Sequence, residues 1–224
     1  MRYMLIAILS LVLAAFFMYE EYKKNYVLAV VLKGFASFCF ILFGILSGSL
    51  GGDSLFVNRI ITGLVLGGVA DILLNLRFVF EKKGKLIFLV GILFFLSGHI
   101  LYLAALIPQS SSLLLYLVIG IVLTALILVW MFSLITVTKA FKIFGILYIG
   151  AIMLMNSVAF GILIASPSMQ SALFAMGAVF FLVSDIVLIL NTFGPKQQQK
   201  LRITNLSLYY MGQLLMGLSL QFLV

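Results

Sequence analysis

The stretch GLVLGGVADILLNLRF, residues 63–78, is apolar enough to cross a bilayer and carries one carboxylate, Asp71. A second stretch, GAVFFLVSDIVLILNTF at residues 177–193, does the same with Asp185. An ionised side chain in the hydrocarbon interior costs at least about 2.5–3.5 kcal/mol, so an intramembrane carboxylate usually serves a function. The two acids therefore predict the centre of a functional site inside a membrane protein.

The two stretches also resemble copies of each other. A shift of 114 residues, the separation of Asp71 and Asp185, superposes Gly63 on Gly177 without a gap. The same shift matches two positions in the next apolar segment, Gly98 with Gly212 and His99 with Gln213. We infer a four-plus-four parallel internal repeat with halves of about 1–110 and 111–224. Such repeats tend to build a site at their interface.

The composition excludes an ordinary soluble protein. The 224 residues are 65% hydrophobic and 9% charged, with a mean hydropathy of +1.31. Apolar runs of the length that a bilayer requires recur along the chain. They lack strand alternation, so helices must satisfy their backbone groups in lipid. The sequence predicts one all-α domain over residues 1–224 with eight transmembrane helices, at 3–19, 27–47, 57–78, 86–107, 113–133, 142–165, 170–193 and 203–223.

Basic residues alternate sharply between the two ends of these predicted helices. Eleven of the fourteen Lys and Arg flank the odd-numbered connections. The positive-inside rule makes those connections cytoplasmic and both termini extracytoplasmic. We expect a multi-pass protein of the plasma membrane, the inner membrane if bacterial. Because the charge of +8 is spread between spans, nucleic acid is not an expected partner.

Two buried acids suggest acid–base chemistry. Asn75 lies one turn after Asp71 and on the same helix face, so the two side chains can share a cavity. Two carboxyl groups in unlike surroundings are a usual way to separate a proton donor from a carboxylate that stays charged. Which acid takes which role is open, and so is a structural alternative in which Asp71 merely pairs with Lys33.

Other polar residues in the spans are candidate site residues. His99 and Tyr102, at i and i+3, form one polar face, and Gln213 is the repeat partner of His99. Lys33 is a counter-ion, a phosphate ligand, or, as its shallow position along the second helix favours, a side chain that snorkels to the cytoplasmic interface. Interhelical hydrogen bonding is the competing role for the polar residues. The remaining candidate substrate-binding residues are Asn156, Ser184 and Tyr210.

Metal and nucleophile motifs are scarce. With one His and one Cys, the chain cannot build a three-histidine zinc centre, whereas a carboxylate-only or His/Asp/Asp site stays open. There is no GxSxG elbow and no P-loop. We predict no metal and no cofactor.

Five short segments, in order along the chain, resemble the YhhN family of integral membrane proteins, which includes the animal lysoplasmalogenases. They are Lys33 in the second helix, GGVAD at 67–71, GILFFLSGHILY at 91–102, Ser184-Asp185, and YYMGQ at 209–213. The resemblance covers nearly the whole chain and implies a lysophospholipid substrate in a membrane-lipid environment.

The resemblance implies hydrolysis of the vinyl ether bond of lysoplasmalogens to a fatty aldehyde and a glycerophospho-alcohol. Asp71 and Asp185 would then share the donor and carboxylate roles, with His99 assisting proton transfer. Lys33, Tyr210 and Gln213 would hold the phosphate end. Another ether or ester lysolipid is an alternative substrate. A small proton-coupled transporter that uses the same acids, and a lipid-binding protein without turnover, are the competing classes.

Overall fold

The computed structural model describes residues 3–50 and 54–223, and this part of the chain is helical without strands. Short 3-10 segments follow three of the helices. The α-helices are α1 (Met4–Tyr22), α2 (Tyr26–Gly48), α3 (Ser54–Val79), α4 (Gly84–Leu106), α5 (Leu113–Leu134), α6 (Lys139–Ala165), α7 (Met169–Phe193) and α8 (Gln199–Ser219).

Seven of these helices, α1 to α7, are long and apolar enough to cross a bilayer. The first turns of α8 contain Lys200, Arg202 and Asn205, which lower its hydropathy. The all-helical, multi-pass class is therefore confirmed, and each predicted span corresponds to a helix. Membrane crossing by α8, the extracytoplasmic termini and the duplicated halves stay predictions.

The bundle turns apolar side chains outward and polar ones inward. On α5, Leu114 is 77% and Val129 74% exposed, as a lipid-facing surface requires. The interior instead holds charged and amide side chains, among them Lys33, Asp71 and Asp185, which are at most 3% exposed. Because lipid cannot solvate these groups, they must find partners within the bundle.

Two pairs of helices cross at glycines that the 114-residue shift relates. A Cβ at Gly98 of α4 would lie 3.1 Å from the Gly63 carbonyl oxygen of α3. One at Gly177 of α7 would lie 2.8 Å from the Gly212 carbonyl oxygen of α8. In addition, α2 packs against α8 as α6 packs against α4. Each of these contacts in one predicted half has a counterpart in the other half, as a duplication would lead one to expect.

The Gly177 crossing predicts a stability difference between two glycine substitutions. Gly177→Ala forces its Cβ against backbone atoms and should cost about 1–3 kcal/mol in the free energy of unfolding. Gly145→Ala in α6, where a Cβ meets no atom within 4 Å, should be neutral or slightly stabilising. Thermal unfolding of the purified variants in detergent measures the difference. Equal midpoints would contradict this packing.

Candidate active site

The carboxylate of Asp71 is held by side chains from two neighbouring helices. Lys33 Nζ of α2 lies 3.0 Å from Asp71 Oδ1. Ser37 of α2 and Tyr209 of α8 each donate a hydrogen bond of 2.7 Å to Asp71 Oδ2. The ammonium compensates the charge and the hydroxyls occupy the second oxygen, so the surroundings suit an ionised carboxylate.

The glycine pair before Asp71 allows these helices to approach. A Cβ at Gly68 would lie 2.8 Å from Ile41 of α2, whereas one at Gly67 would lie 2.9 Å from the Gln213 amide nitrogen of α8. Small residues let membrane helices come close enough for polar side chains to bond across the interface. The GGVAD segment thus places Asp71 between α2 and α8.

Asp185 has different surroundings. It is 3% exposed on α7, and its carboxyl group accepts a short hydrogen bond from the Tyr148 hydroxyl of α6. The described residues place no Lys or Arg in a salt bridge with Asp185. A buried carboxyl group without a cation partner suits the neutral, protonated form. The two acids therefore differ in their partners: Asp71 has a cation beside it, and Asp185 has a tyrosine hydroxyl. A charged carboxylate and a proton donor need such unlike surroundings.

Both acids line one inner cavity at the centre of the bundle. Its empty space is about 350 Å³, including the part open to solvent. The lining residues are Lys33, Asp71, Leu74, Arg77, Phe95, Asp185, Leu188, Arg202, Asn205, Leu206 and Tyr209.

A wider polar vestibule adjoins the inner cavity and shares Arg77, Leu188 and Arg202 with it. The vestibule has about 1230 Å³ of empty space, including the part open to solvent, and Lys24 and Gln198 also line it. It lies at the end of the bundle with the α1–α2 and α7–α8 connections. The charge pattern predicts that this end is cytoplasmic.

A network of hydrogen bonds separates the vestibule from the inner cavity. Arg202 binds both carboxylate oxygens of Glu21 through Nε at 2.8 Å and a terminal nitrogen at 3.0 Å. Asn75 donates to Glu21 at 2.8 Å and accepts from Lys33 at 3.2 Å. The network therefore joins α1, α3 and α8 to the Lys33–Asp71 pair.

Arg77 is a cation without a carboxylate partner in the described part of the chain. Its guanidinium lies over the rings of Phe78 and Phe88, 4.6 and 4.5 Å from their centroids. Its Nε is buried and makes no hydrogen bond to the described residues. Because Lys33 and Arg202 are paired with acids, Arg77 is the cation lining both cavities that is left to bind an anion, and its guanidinium suits a phosphate.

The predicted residues differ in how close they lie to the inner cavity. Lys33 lines it, Asn75 accepts from Lys33, and Gln213 donates to the Tyr209 hydroxyl at 3.2 Å and accepts from Tyr102 at 3.2 Å. Lys33 is 2% exposed, so its snorkelling alternative is wrong and the counter-ion alternative is confirmed. Like Asn75 and Gln213, the remaining predicted residues do not line the inner cavity; they are His99, Asn156, Ser184 and Tyr210.

These outer residues have separate surroundings. The His99 ring contacts Phe181 and Tyr148 at centroid distances of 4.5 and 5.7 Å, and its nitrogens lack partners among the described residues. Asn156 bonds the Ile152 carbonyl within its own helix. Ser184 accepts from Asn205 at 2.8 Å, and Tyr210 packs edge-on against Phe40 and Tyr209.

Sequence reasoning missed several site residues, namely Ser37, Tyr148, Glu21, Arg77 and Arg202. The two arginines appeared only as topology signals, and Glu21 as part of a loop. The sequence held one weak indication of Tyr148. The 114-residue shift aligns it with Gly34, the residue next to Lys33, so Tyr148 falls where the other half carries a candidate site residue. Metal ligation has no support from geometry: the described residues contain no group of three His, Cys, Asp or Glu that could hold an ion.

The fold and the site define a multi-pass helical membrane protein with two buried acids on one internal cavity. The chain belongs to the YhhN family, whose model matches residues 28–220. No curated protein and no solved structure matches the chain.

The Glu21–Arg202 pair predicts a large difference between adjacent acids. Glu21→Gln leaves the partly buried Arg202 without its carboxylate, which should cost about 2 kcal/mol in stability. Glu20→Gln, which removes an acid hydrogen-bonded to the exposed Asn25, should change stability by less than about 0.5 kcal/mol. Thermal unfolding compares the two, and similar losses would show that the Glu21–Arg202 pair is not structural.

Proposed function

We propose that this protein hydrolyses the vinyl ether bond of a lysoplasmalogen, releasing a fatty aldehyde and a glycerophospho-alcohol. One observation carries the proposal: Asp71 and Asp185 line the same inner cavity, one paired with a cation and the other not. Cleavage of an enol ether needs a proton donor and a carboxylate that stabilises positive charge. Family membership is consistent with this activity.

Asp185 is the proposed proton donor. Its proton passes to the alkenyl carbon that is not bonded to oxygen, and the electron pair of the double bond forms the new C–H bond. The carbon bonded to oxygen becomes an oxocarbenium ion. Asp71, ionised beside Lys33, lies on the same cavity and stabilises this charge electrostatically.

A water in the inner cavity completes the reaction. It attacks the oxocarbenium carbon and gives up a proton to the Asp185 carboxylate. The substrate thereby becomes a hemiacetal. Return of that proton to the ether oxygen breaks the C–O bond, yields the aldehyde and frees the glycerol hydroxyl. Asp185 is reprotonated as the aldehyde forms, so one water is consumed and both acids recover their starting states.

The remaining polar residues hold these groups in place. Lys33 keeps Asp71 charged, and the Tyr102–Gln213–Tyr209 chain orients its second oxygen. His99 packs against Tyr148, the hydrogen-bond donor to Asp185, and supports that contact. Arg77, on both the vestibule and the inner cavity, binds the phosphate of the headgroup.

The activity is tested by incubating the purified protein with vinyl-ether and ester lysolipids and measuring the products by mass spectrometry. Aldehyde release from the vinyl ether alone is expected. Fatty acid release from the ester would make the protein a lysophospholipase instead. Absence of any product would contradict an enzyme and favour a carrier.

Asp185→Asn should lower the rate of aldehyde release about 10²–10⁴-fold, as loss of a general acid does. The amide oxygen can still accept from Tyr148, so the fold and substrate binding should be retained. Glu81→Gln, in the short 3-10 segment Glu81–Lys83 outside the cavity, is the matched control. An unchanged rate in folded Asp185→Asn would exclude Asp185 as the donor.

Arg77→Gln should raise KM for a lysoplasmalogen about tenfold or more with little change in kcat, because a charge-assisted bond to phosphate is lost. The effect should vanish with a 1-alkenylglycerol, which has no phosphate. Lys82→Gln in the same 3-10 segment is the control. A similar KM change for both substrates would mean that Arg77 does not bind the headgroup.

A further inference from the structure

A second internal cavity lies between α4, α5, α6 and α7. Its empty space is about 670 Å³, including the part open to solvent. Apart from the hydroxyls of Tyr148 and Thr192 and the thioether of Met131, the side chains on its walls are hydrocarbon or aromatic. Such a cavity accepts an apolar group and offers little to an ion or a polar metabolite.

This apolar cavity is adjacent to the inner cavity. Leu74, Phe95 and Leu188 line both. Tyr148 is on the apolar wall, and its hydroxyl contacts Asp185, an acid of the inner cavity. The apolar part of a molecule whose reacting bond lies beside Asp185 would therefore have this space as its nearest apolar compartment, beyond Tyr148.

The charged and apolar parts of the site meet at one ring. Phe88 lines the apolar cavity, and the Arg77 guanidinium lies 4.5 Å from its centroid. Leu188 lines the vestibule, the inner cavity and the apolar cavity. An occupant of all three is an amphiphile with one anionic end and one hydrocarbon chain.

We propose that the apolar cavity binds the hydrocarbon chain of the substrate and that Gly145 sets the chain length it accepts. This inference rests on the proposed function, which places the reacting bond beside Asp185. Gly145 lines the cavity, and a Cβ built there meets no atom within 4 Å. A larger side chain at this position would therefore occupy open space at the cavity wall without displacing backbone.

Photo-cross-linking locates the chain without requiring turnover. The probe is a 1-O-alkyl lysophosphatidylcholine with a diazirine near the end of its chain, which lacks the vinyl double bond and is not cleaved by the proposed chemistry. With the full-length protein in nanodiscs, adducts are expected on peptides of α5 and α6 around Met131 and Phe144. Adducts confined to lipid-facing residues such as Leu115 and Val122 would overturn the proposal.

Gly145→Leu should reduce the adduct yield of the long-chain probe about tenfold, since each displaced methylene is worth about fourfold in affinity. A probe shorter by about four carbons should be unaffected. Leu147→Phe, which adds bulk to a half-exposed side chain of the same helix, is the control. Equal losses for both probes, or none for either, would overturn the role of Gly145.

The two proposals fail separately. Cross-links in the apolar cavity without aldehyde release would keep the chain site and reject vinyl ether hydrolysis. Aldehyde release with cross-links outside the cavity would keep the hydrolysis and reject the chain site. If Gly145→Leu does not fold, moving the diazirine along the chain of the probe replaces it: the adducts should shift from Tyr148 toward Phe141 as the label moves outward.

Discussion

The buried ion pair between Lys33 and Asp71 is the constraint on which the site depends. Neither charge can remain unpaired in a bundle surrounded by lipid, because the desolvation cost is several kcal/mol per ion. The pair is therefore stable only where α2 and α3 meet in one register, with Ser37 and Tyr209 completing the coordination of Asp71. That register in turn sets the position of the inner cavity.

The second acid shows how matched positions acquire unlike properties. Asp185 follows Asp71 by the same shift that relates the glycine crossings, yet a tyrosine hydroxyl on α6 stands where α2 supplies an ammonium. In the proposed mechanism, this change of neighbour on one packed helix separates a charged carboxylate from a proton donor. The predicted duplication would thus yield two chemical roles from one motif.

The sequence allowed the helices and the two acids to be predicted because both follow from local composition and spacing. It did not reveal Tyr148, Glu21 or Arg202, because their roles depend on which helices pack together and at what angle. Lys33 shows the limit most clearly: depth counted along one helix favoured snorkelling, whereas the partner on α3 determines its position. Partner choice between helices is not a local property.

The ring of Phe88, with Arg77 on one side and a hydrocarbon-lined space on the other, forms a boundary between wet and dry compartments. In the proposed reaction, cleavage of an amphiphile at such a boundary would separate the products by solubility as soon as the bond breaks. The phosphate-bearing fragment would be left on the vestibule side of the ring and the aldehyde on the side of the apolar cavity. Neither fragment would have to pass the other to leave, so partition between two solvents would itself clear the site for the next turnover.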